Sequence, residues 1–296
     1  MVDIAERPAG AAGRPAAPPA PAARPAGPPA APAAAPTLPG RLLGFGGRAL
    51  HRGVALLALA GIWETAPRAG LVDRVFLPPL SEVLTAWWTL LRTGQLADHV
   101  GASLTRSLTG LALAVAAAIP LGLLIGWYRP LADLLSPLLE VFRNTAALAL
   151  LPVFVLILGL GETSKIALVV YACSWPILLN TIAGVKGVDP LLVRSARSMG
   201  LNHLRLFQKV ILPAAVPTIF TGVRLAGAYS ILVLVAAEMV GAKAGLGYLI
   251  NYAQYNFAIP DMYAGIITIS AIGLVVNQLL VAGERRFSTW RVDVTA

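Results

Sequence analysis

Long apolar segments alternate with short polar ones along most of this chain. Runs of about 20 apolar residues are long enough to cross a bilayer, and a chain with about six such runs is a polytopic membrane protein. Backbone groups in hydrocarbon must bond within their own segment, so each run predicts a helix and the fold class is all-α. Within a few residues, the runs cover Gly47–Ala66, Leu104–Trp127, Leu138–Leu160, Ile166–Val185, Ala214–Val240 and Met262–Ala282.

The polar segment Arg194–Pro213, between two of these runs, has its own helical pattern. Gly200 predicts a break in the helix, and Pro213 is expected to close the segment at the edge of the next span. A linker between spans needs only to be short and polar, so a helix-patterned segment predicts a docking surface. Four apolar residues fall on one predicted helical face: Leu201, Leu204, Phe207 and Ile211.

The N-terminal 40 residues have a different composition, dominated by Pro and Ala with scattered Arg. Such a segment favours extended polyproline conformers and cannot bury a core. It also lacks the continuous apolar stretch of a secretory signal peptide. We predict a disordered cytoplasmic tail over residues 1–40, with ligand motifs for proline-binding domains as the alternative, and a transmembrane domain over residues 41–296.

Composition and charge placement support a membrane protein. The chain is 57% hydrophobic and 12% charged, with a mean hydropathy of +0.74. The net charge of +9 could indicate nucleic-acid binding, but most Lys and Arg fall in alternate loops and in both terminal segments. This is the positive-inside pattern, so it predicts both termini in the cytoplasm and no nucleic-acid partner. One cysteine, Cys173, excludes a disulfide within the chain.

Ionisable and polar residues inside the spans are the candidates for a translocation pathway, because charges in a membrane are costly. Glu238 could contact cargo or could face water at the interface. Arg224 could neutralise an anion or pair with a neighbouring group. Four further polar or amphipathic residues are candidates, and they could line a pathway or form hydrogen bonds between helices. They are Asn144, Tyr171, Ser174 and Trp175.

The loop Gly241–Tyr248 is glycine-rich, and the apolar residues Tyr248–Ile250 stand at its end. We predict that it folds back as an outer gate formed by Gly245, Gly247 and Tyr248, with a flexible connection as the alternative. No Walker-type phosphate loop occurs in the sequence, and its histidines lack metal-ligand spacing. We therefore expect no catalytic residue, cofactor or metal on this chain.

The polar segment resembles the EAA loop of bacterial ABC-importer permeases. Ser195, Ala196, Gly200 and the run Val210–Pro213 match its pattern. Arg194 stands where the family usually has Glu. The resemblance therefore implies a docking helix but not a salt bridge from that position.

The resemblance covers the chain from Leu77 to the C-terminus and is closest to the nitrate/sulfonate/taurine/bicarbonate branch. Motifs in the family order and spacing carry it. They are Leu77–Val83, Ala147–Pro152, Gly159–Glu162, Ala236–Met239 and Gly245–Ile250.

This resemblance implies a type I ABC-importer permease fold in the bacterial inner membrane. It implies a cytoplasmic ABC ATPase dimer that binds ATP–Mg, a second permease copy and an extracytoplasmic solute-binding protein as partners. The expected cargo is a small anion such as a sulfonate, taurine or nitrate, with a vitamin precursor or another neutral or cationic metabolite as the alternative. A stand-alone secondary transporter or channel is the alternative function. The implied coupling loop covers about 186–213, with contacts from Ser195, Ala196, Arg197, Gly200, Leu201, Leu204, Phe207 and Pro213.

Overall fold

The structure, a computed structural model, describes residues 54–287 except residue 56, with side chains through Glu284. The chain divides into units of residues 1–55 and 56–296, and the fold below is that of the second unit. The described residues form helices and no strand, which confirms the all-α prediction. The predicted tail over residues 1–40 lies outside the described residues. The α-helices are α1 (57–68), α2 (Leu80–Arg92), α3 (Gln95–Trp127), α4 (Arg129–Asn144), α5 (Leu151–Leu158), α6 (Glu162–Lys186), α7 (Pro190–Ser198), α8 (His203–Leu206), α9 (Leu212–Glu238), α10 (Leu246–Tyr255) and α11 (Ile259–Phe287).

Four helical segments of the described chain are long and apolar enough to cross a membrane. They confirm the second, fourth, fifth and sixth predicted spans. Of the first predicted span, residues 57–66 are helical and its first seven or so residues lie outside the described part. The four segments are Gln95–Trp127, Glu162–Lys186, His203–Glu238 and Ile259–Glu284.

The third predicted span, Leu138–Leu160, is wrong as a single helix. α4 and the helical stretch Ala147–Leu158 meet at an angle of 86°. Thr145 and Ala146 between them have extended backbones, with ψ of 119° and 121°. Hydropathy counts apolar residues without regard to chain direction, so it cannot separate a straight span from a bent one.

The bundle is built around α3, α6 and α9, which pack closely because small residues lie at their crossings. A Cβ added to Gly122 of α3 would lie 2.7 Å from Thr181 Cβ, and one on Gly222 of α9 would lie 2.7 Å from Asn180 Cβ. α11 packs beside α9, and α10 covers the end of both. Buried side chains of the three central helices include Leu111, Ala114, Ala118, Ile125, Val169, Cys173, Ile177, Ala226 and Leu234.

Candidate functional site

A charge cluster, with two buried members and one exposed one, joins the three central helices at one end of the bundle. It consists of Arg106 of α3, Glu162 at the start of α6 and Glu238 at the end of α9. Arg106 Nη1 lies 2.6 Å from Glu238 Oε1, and its Nη2 lies 2.7 Å from Glu162 Oε1. The Arg106 Nε also contacts Glu162. Arg106 is 5% exposed and Glu238 is 1% exposed, so water solvates neither charge. The salt bridge between them supplies each with an opposite charge in place of water.

The loop between α9 and α10, together with the first turn of α10, folds back over this charge cluster. The backbone N–H of Gly247 donates to Glu238 Oε2 at 3.0 Å, and that of Leu246 donates to Ser103 Oγ at 2.8 Å. Gly245 has φ of +119° and donates its N–H to His99 Nδ1 at 3.1 Å. A Cβ on Gly245 would lie 2.3 Å from the Glu238 carboxyl carbon, so only glycine permits this approach.

Tyr248, predicted in that loop, lies instead in the first turn of α10, as does Gly247. Its ring packs on His99 and Tyr252, with centroid distances of 5.8 and 5.6 Å. The apolar residues after Gly247 are helical because α10 buries Leu249 and Ile250 against its neighbours. The gate role of Gly245, Gly247 and Tyr248 stays a prediction.

The two charged pathway candidates each have a partner within the bundle. Glu238 binds Arg106, a residue to which the sequence assigned no role. Arg224 Nη1 lies 2.9 Å from Glu284 Oε2 of α11, and Thr221 Oγ1 donates to the other oxygen of that carboxylate. Whether either candidate meets cargo stays a prediction.

A cavity of about 520 Å³ lies beside the break between α4 and α5, and we call it the central cavity. Trp175 and Leu225 of its wall lie near the middles of α6 and α9. Arg143, in the last turn of α4, also lines this cavity. The other lining residues are Thr145, Ala146, Ala147, Leu148, Ala172, Pro176, Leu179, Asn180, Tyr229, Leu232 and Val233.

The remaining pathway candidates lie at or near the same break. Tyr171 donates its hydroxyl to the Phe142 carbonyl at 3.1 Å, and Trp175 stacks on the Phe142 ring. Asn144 is exposed at the last residue of α4. Ser174 donates to the Val170 carbonyl of its own helix at 2.7 Å, which is a local bond. Their role in a pathway stays a prediction.

The opposite end of the bundle carries the polar segment, which we call the docking segment (Pro190–Ile211). Asp189 caps α7 by accepting from the Leu191 N–H, and the helix ends at Ser198. Gly200 has φ of +78°, so the predicted break is confirmed. Asn202 caps the next helix by accepting from the Arg205 N–H.

Pro213 does not close the segment as predicted, because the helix runs on from His203 to Glu238. A π-turn over Phe207–Ile211 precedes Pro213, which cannot donate a backbone hydrogen bond. The π-turn adds a residue and shifts the buried face, so the buried residues recur at spacings of five, four and four. They are Leu206, Ile211, Ala215 and Ile219. Leu204 and Phe207 of the predicted face line one pocket, but Leu204 is 65% exposed whereas Ile211, beyond the π-turn, is buried.

The surface of the docking segment combines apolar and basic side chains. Ala196 and Leu206 are buried beneath it, while Ser195 is exposed and Leu201 and Phe207 are half-buried. None of its basic side chains makes an ion pair within the described part of the chain. The exposed apolar residues are Leu191, Leu192, Met199 and Leu204. The exposed basic residues are Arg194, Arg197, Arg205 and Lys209.

The described residues form a helical bundle with four candidate membrane spans, or five if the bent pair is one span, as expected of a polytopic membrane protein. Residues 118–289, more than half of the chain, match the family described as binding-protein-dependent transport system inner membrane component. The chain belongs to this family.

Relatives and solved structures agree with this assignment. A probable ABC transporter permease protein of Brucella abortus is 37% identical over 85% of this chain and 98% of its own. The taurine transport system permease protein of Escherichia coli is 35% identical, covering 81% of this chain and 89% of its own. The nitrate import permease protein of Leptolyngbya laminosa is 31% identical, with coverages of 79% and 85%.

The fold is also similar to a chain of the MetNI methionine ABC transporter in an inward-facing conformation. That chain has a TM-score of 0.58 and 18% identity, and the match covers 68% of this chain and 96% of that one. At this identity the likeness concerns the fold alone.

Proposed function

We propose that this chain is the membrane-spanning permease subunit of an ATP-driven importer whose docking segment seats in a cytoplasmic ATPase. The form of the docking segment carries the proposal. α7 and the His203 helix are joined by a left-handed turn at Gly200, and apolar and basic side chains are exposed side by side. A surface of this kind suits a cleft with an apolar floor and acidic rims.

The docking segment is attached to the bundle in a way that transmits force. Its second half is continuous with α9, which ends at Glu238 in the charge cluster. Leu206 and Ile211 anchor that half against the bundle. Displacement of the segment by closing ATPase subunits would therefore move α9 as a rigid lever toward the opposite end.

The partners follow from family membership. We infer an ATPase dimer that holds ATP–Mg, a second copy of this chain around a two-fold axis, and an extracytoplasmic binding protein that delivers the solute. We infer from the positive-inside pattern that both termini and the docking segment lie in the cytoplasm, with the charge cluster at the outer end. The membrane is the bacterial inner membrane.

The cargo that we infer is a small anion. Relatives named for taurine, aliphatic sulfonates and nitrate support this class, at 31–35% identity. A neutral or cationic metabolite such as a vitamin precursor is the competing cargo, and competition in an uptake assay separates the two.

Reconstitution tests the function. The chain is co-purified with the ATPase encoded nearest to it, and ATP turnover and solute uptake are measured in liposomes with candidate binding proteins. We expect a complex of two permease and two ATPase subunits, turnover stimulated by one loaded binding protein, and uptake that requires ATP. Failure to bind an ATPase, with solute flux independent of ATP, would instead indicate a stand-alone secondary transporter or channel.

A further inference from the structure

We propose that the central cavity is a transient anion site in which Arg143 binds the oxygens of the cargo during passage. This proposal rests on the proposed function and specifies a residue and a ligand class for it. The ligand class is a small oxyanion such as a sulfonate.

Arg143 is an exposed side chain, and it lies level with the middle of the bundle. It lines the central cavity together with Trp175 and Leu179 of α6 and Leu225 of α9. Trp175 and Leu225 are near the midpoints of helices of 25 and 27 residues. A charged side chain at such depth is costly in hydrocarbon and is found where it faces a water-filled cavity or a partner.

Arg143 has no counter-charge in the described part of the chain. Arg106 and Arg224, the arginines within α3 and α9, are each bound to a carboxylate. Arg143 forms no such pair, and the residues that line the cavity include no carboxylate. Glu140 lies one helical turn earlier on α4 and does not line the cavity. The central cavity therefore presents one uncompensated positive charge.

The other groups in the cavity wall suit an oxyanion. Tyr229 contributes a hydroxyl, and Trp175 Nε1 is a buried donor with no acceptor among the described residues. Trp175 Nε1 has almost no accessible surface, so Arg143 and Tyr229 are the groups that the wall offers to an anion in the cavity. The volume of about 520 Å³ is within the range of small-molecule sites and exceeds what a small sulfonate needs.

Arg143 also lies in the last turn of α4, where a cation complements the helix dipole. Stabilisation of the α4 dipole would by itself explain a positive charge at the end of this helix. It would not require that the cavity bind anions. A test must therefore measure the charge preference of the cavity itself, independently of transport.

Charge-selective thiol labelling measures this preference. Ala146→Cys places a thiol on the cavity wall, and native Cys173 is fully buried, so it contributes little background. The purified chain is labelled with an anionic sulfonatoethyl and a cationic trimethylammonium-ethyl methanethiosulfonate. Each rate is divided by the rate of the same reagent with a free thiol. We expect the anionic reagent to be favoured by roughly tenfold, which is the effect of one nearby charge at intermediate dielectric.

Variants of Arg143 assign the preference to this side chain. With Arg143→Gln, the normalised rate of the anionic reagent divided by that of the cationic reagent should fall to about one. With Arg143→Lys, which keeps the charge, the anionic reagent should still be favoured. The matched control is Arg129→Gln, which removes the same charge from the exposed first residue of the same helix. An unchanged ratio in Arg143→Gln, or no labelling at all, overturns the proposal.

Uptake by the assembled importer tests the site in its function. With Arg143→Gln we expect [35S]taurine uptake to fall at least tenfold, while ATP turnover stimulated by the loaded binding protein persists. Undiminished uptake would overturn the anion site, and so would a loss of the permease dimer, since Arg143 would then pair across copies. If the wild-type complex shows no ATP-dependent uptake, the proposed function fails while the labelling result still stands.

Discussion

Arg106 of α3 and Glu238 of α9, 132 residues apart in the sequence, form a salt bridge of 2.6 Å in the interior of the bundle. Glu238 also accepts hydrogen bonds from Ser103 and from the backbone of Gly247, so its carboxylate is bonded on both oxygens. The same guanidinium donates to the Ala244 carbonyl at 2.7 Å. This pair therefore links two central helices and the loop that covers them.

Removing the cation should cost more than removing the anion. Arg106→Gln leaves Glu238 buried without a counter-charge, and breaking a buried pair in this way typically costs about 3–5 kcal/mol. Glu238→Gln leaves Arg106 paired with Glu162, so we expect a smaller loss. Thermal unfolding in detergent measures both. Arg92→Gln is the control, since Arg92 is exposed and only stacks on Trp88. Equal melting temperatures for Arg106→Gln and the control would refute the structural role of this pair.

Gly247→Ala should detach the first turn of α10 from the charge cluster. A Cβ there would lie 2.2 Å from the Val235 carbonyl oxygen, a backbone atom that cannot move away cheaply. We expect faster amide hydrogen exchange in the peptide that contains Leu246 and Gly247, because their N–H groups lose Ser103 and Glu238 as acceptors. Gly273→Ala is the matched control, with no atom within 4 Å of its added Cβ. Unaltered exchange in Gly247→Ala would contradict this account of the loop.

Gly200→Pro should uncouple the docking segment without preventing membrane insertion. Gly200 has φ of +78° and donates its N–H to the Arg197 carbonyl at 2.9 Å. Proline fixes φ near −65° and has no N–H, so the turn cannot form. We expect insertion at the wild-type level and loss of ATPase co-purification or of coupled uptake. Gly200→Asn tolerates the left-handed region and should keep both. Wild-type uptake by Gly200→Pro would show that this turn is not needed for coupling.

Arg224 and Glu284 should behave as a pair in a double-mutant cycle. Both side chains are partly exposed, so their interaction is worth about 1 kcal/mol or less. We expect Arg224→Gln and Glu284→Gln to lower stability by similar amounts, and the double variant to lose no more than either. A fall in uptake confined to Arg224→Gln, with the complex still assembled, would instead support the contact with anionic cargo suggested by the sequence.

Much of the architecture could be predicted from the sequence because membrane spans and glycine breaks are local signals. Apolar run length gave the helices that contain Leu104–Trp127, Ile166–Val185 and Met262–Ala282. The break at Gly200 follows from one residue whose backbone freedom the turn requires. The docking segment was found in the same way, from a polar helical pattern between two apolar runs.

The rest depends on geometry that no local pattern contains. The 86° bend after α4 leaves hydropathy unchanged but carries Arg143 into the central cavity. The π-turn over Phe207–Ile211 shifts the helical register, so a regular period does not show that Ile211 is buried while Leu204 is exposed. Glu238 was recognisable as a charge near a span end, whereas its partner Arg106 could be assigned only from the packing of α3 against α9.

The central claim, that the docking segment contacts an ATPase, can be tested by photo-cross-linking. Met199→Cys, at a position 73% exposed on the docking segment, is labelled with a benzophenone maleimide in the assembled complex and illuminated. Phe257→Cys, 78% exposed near the charge-cluster end, is the control. We predict an adduct with the ATPase subunit from Met199→Cys and none from the control. No ATPase adduct from Met199→Cys, or equal adducts from both positions, would contradict the account.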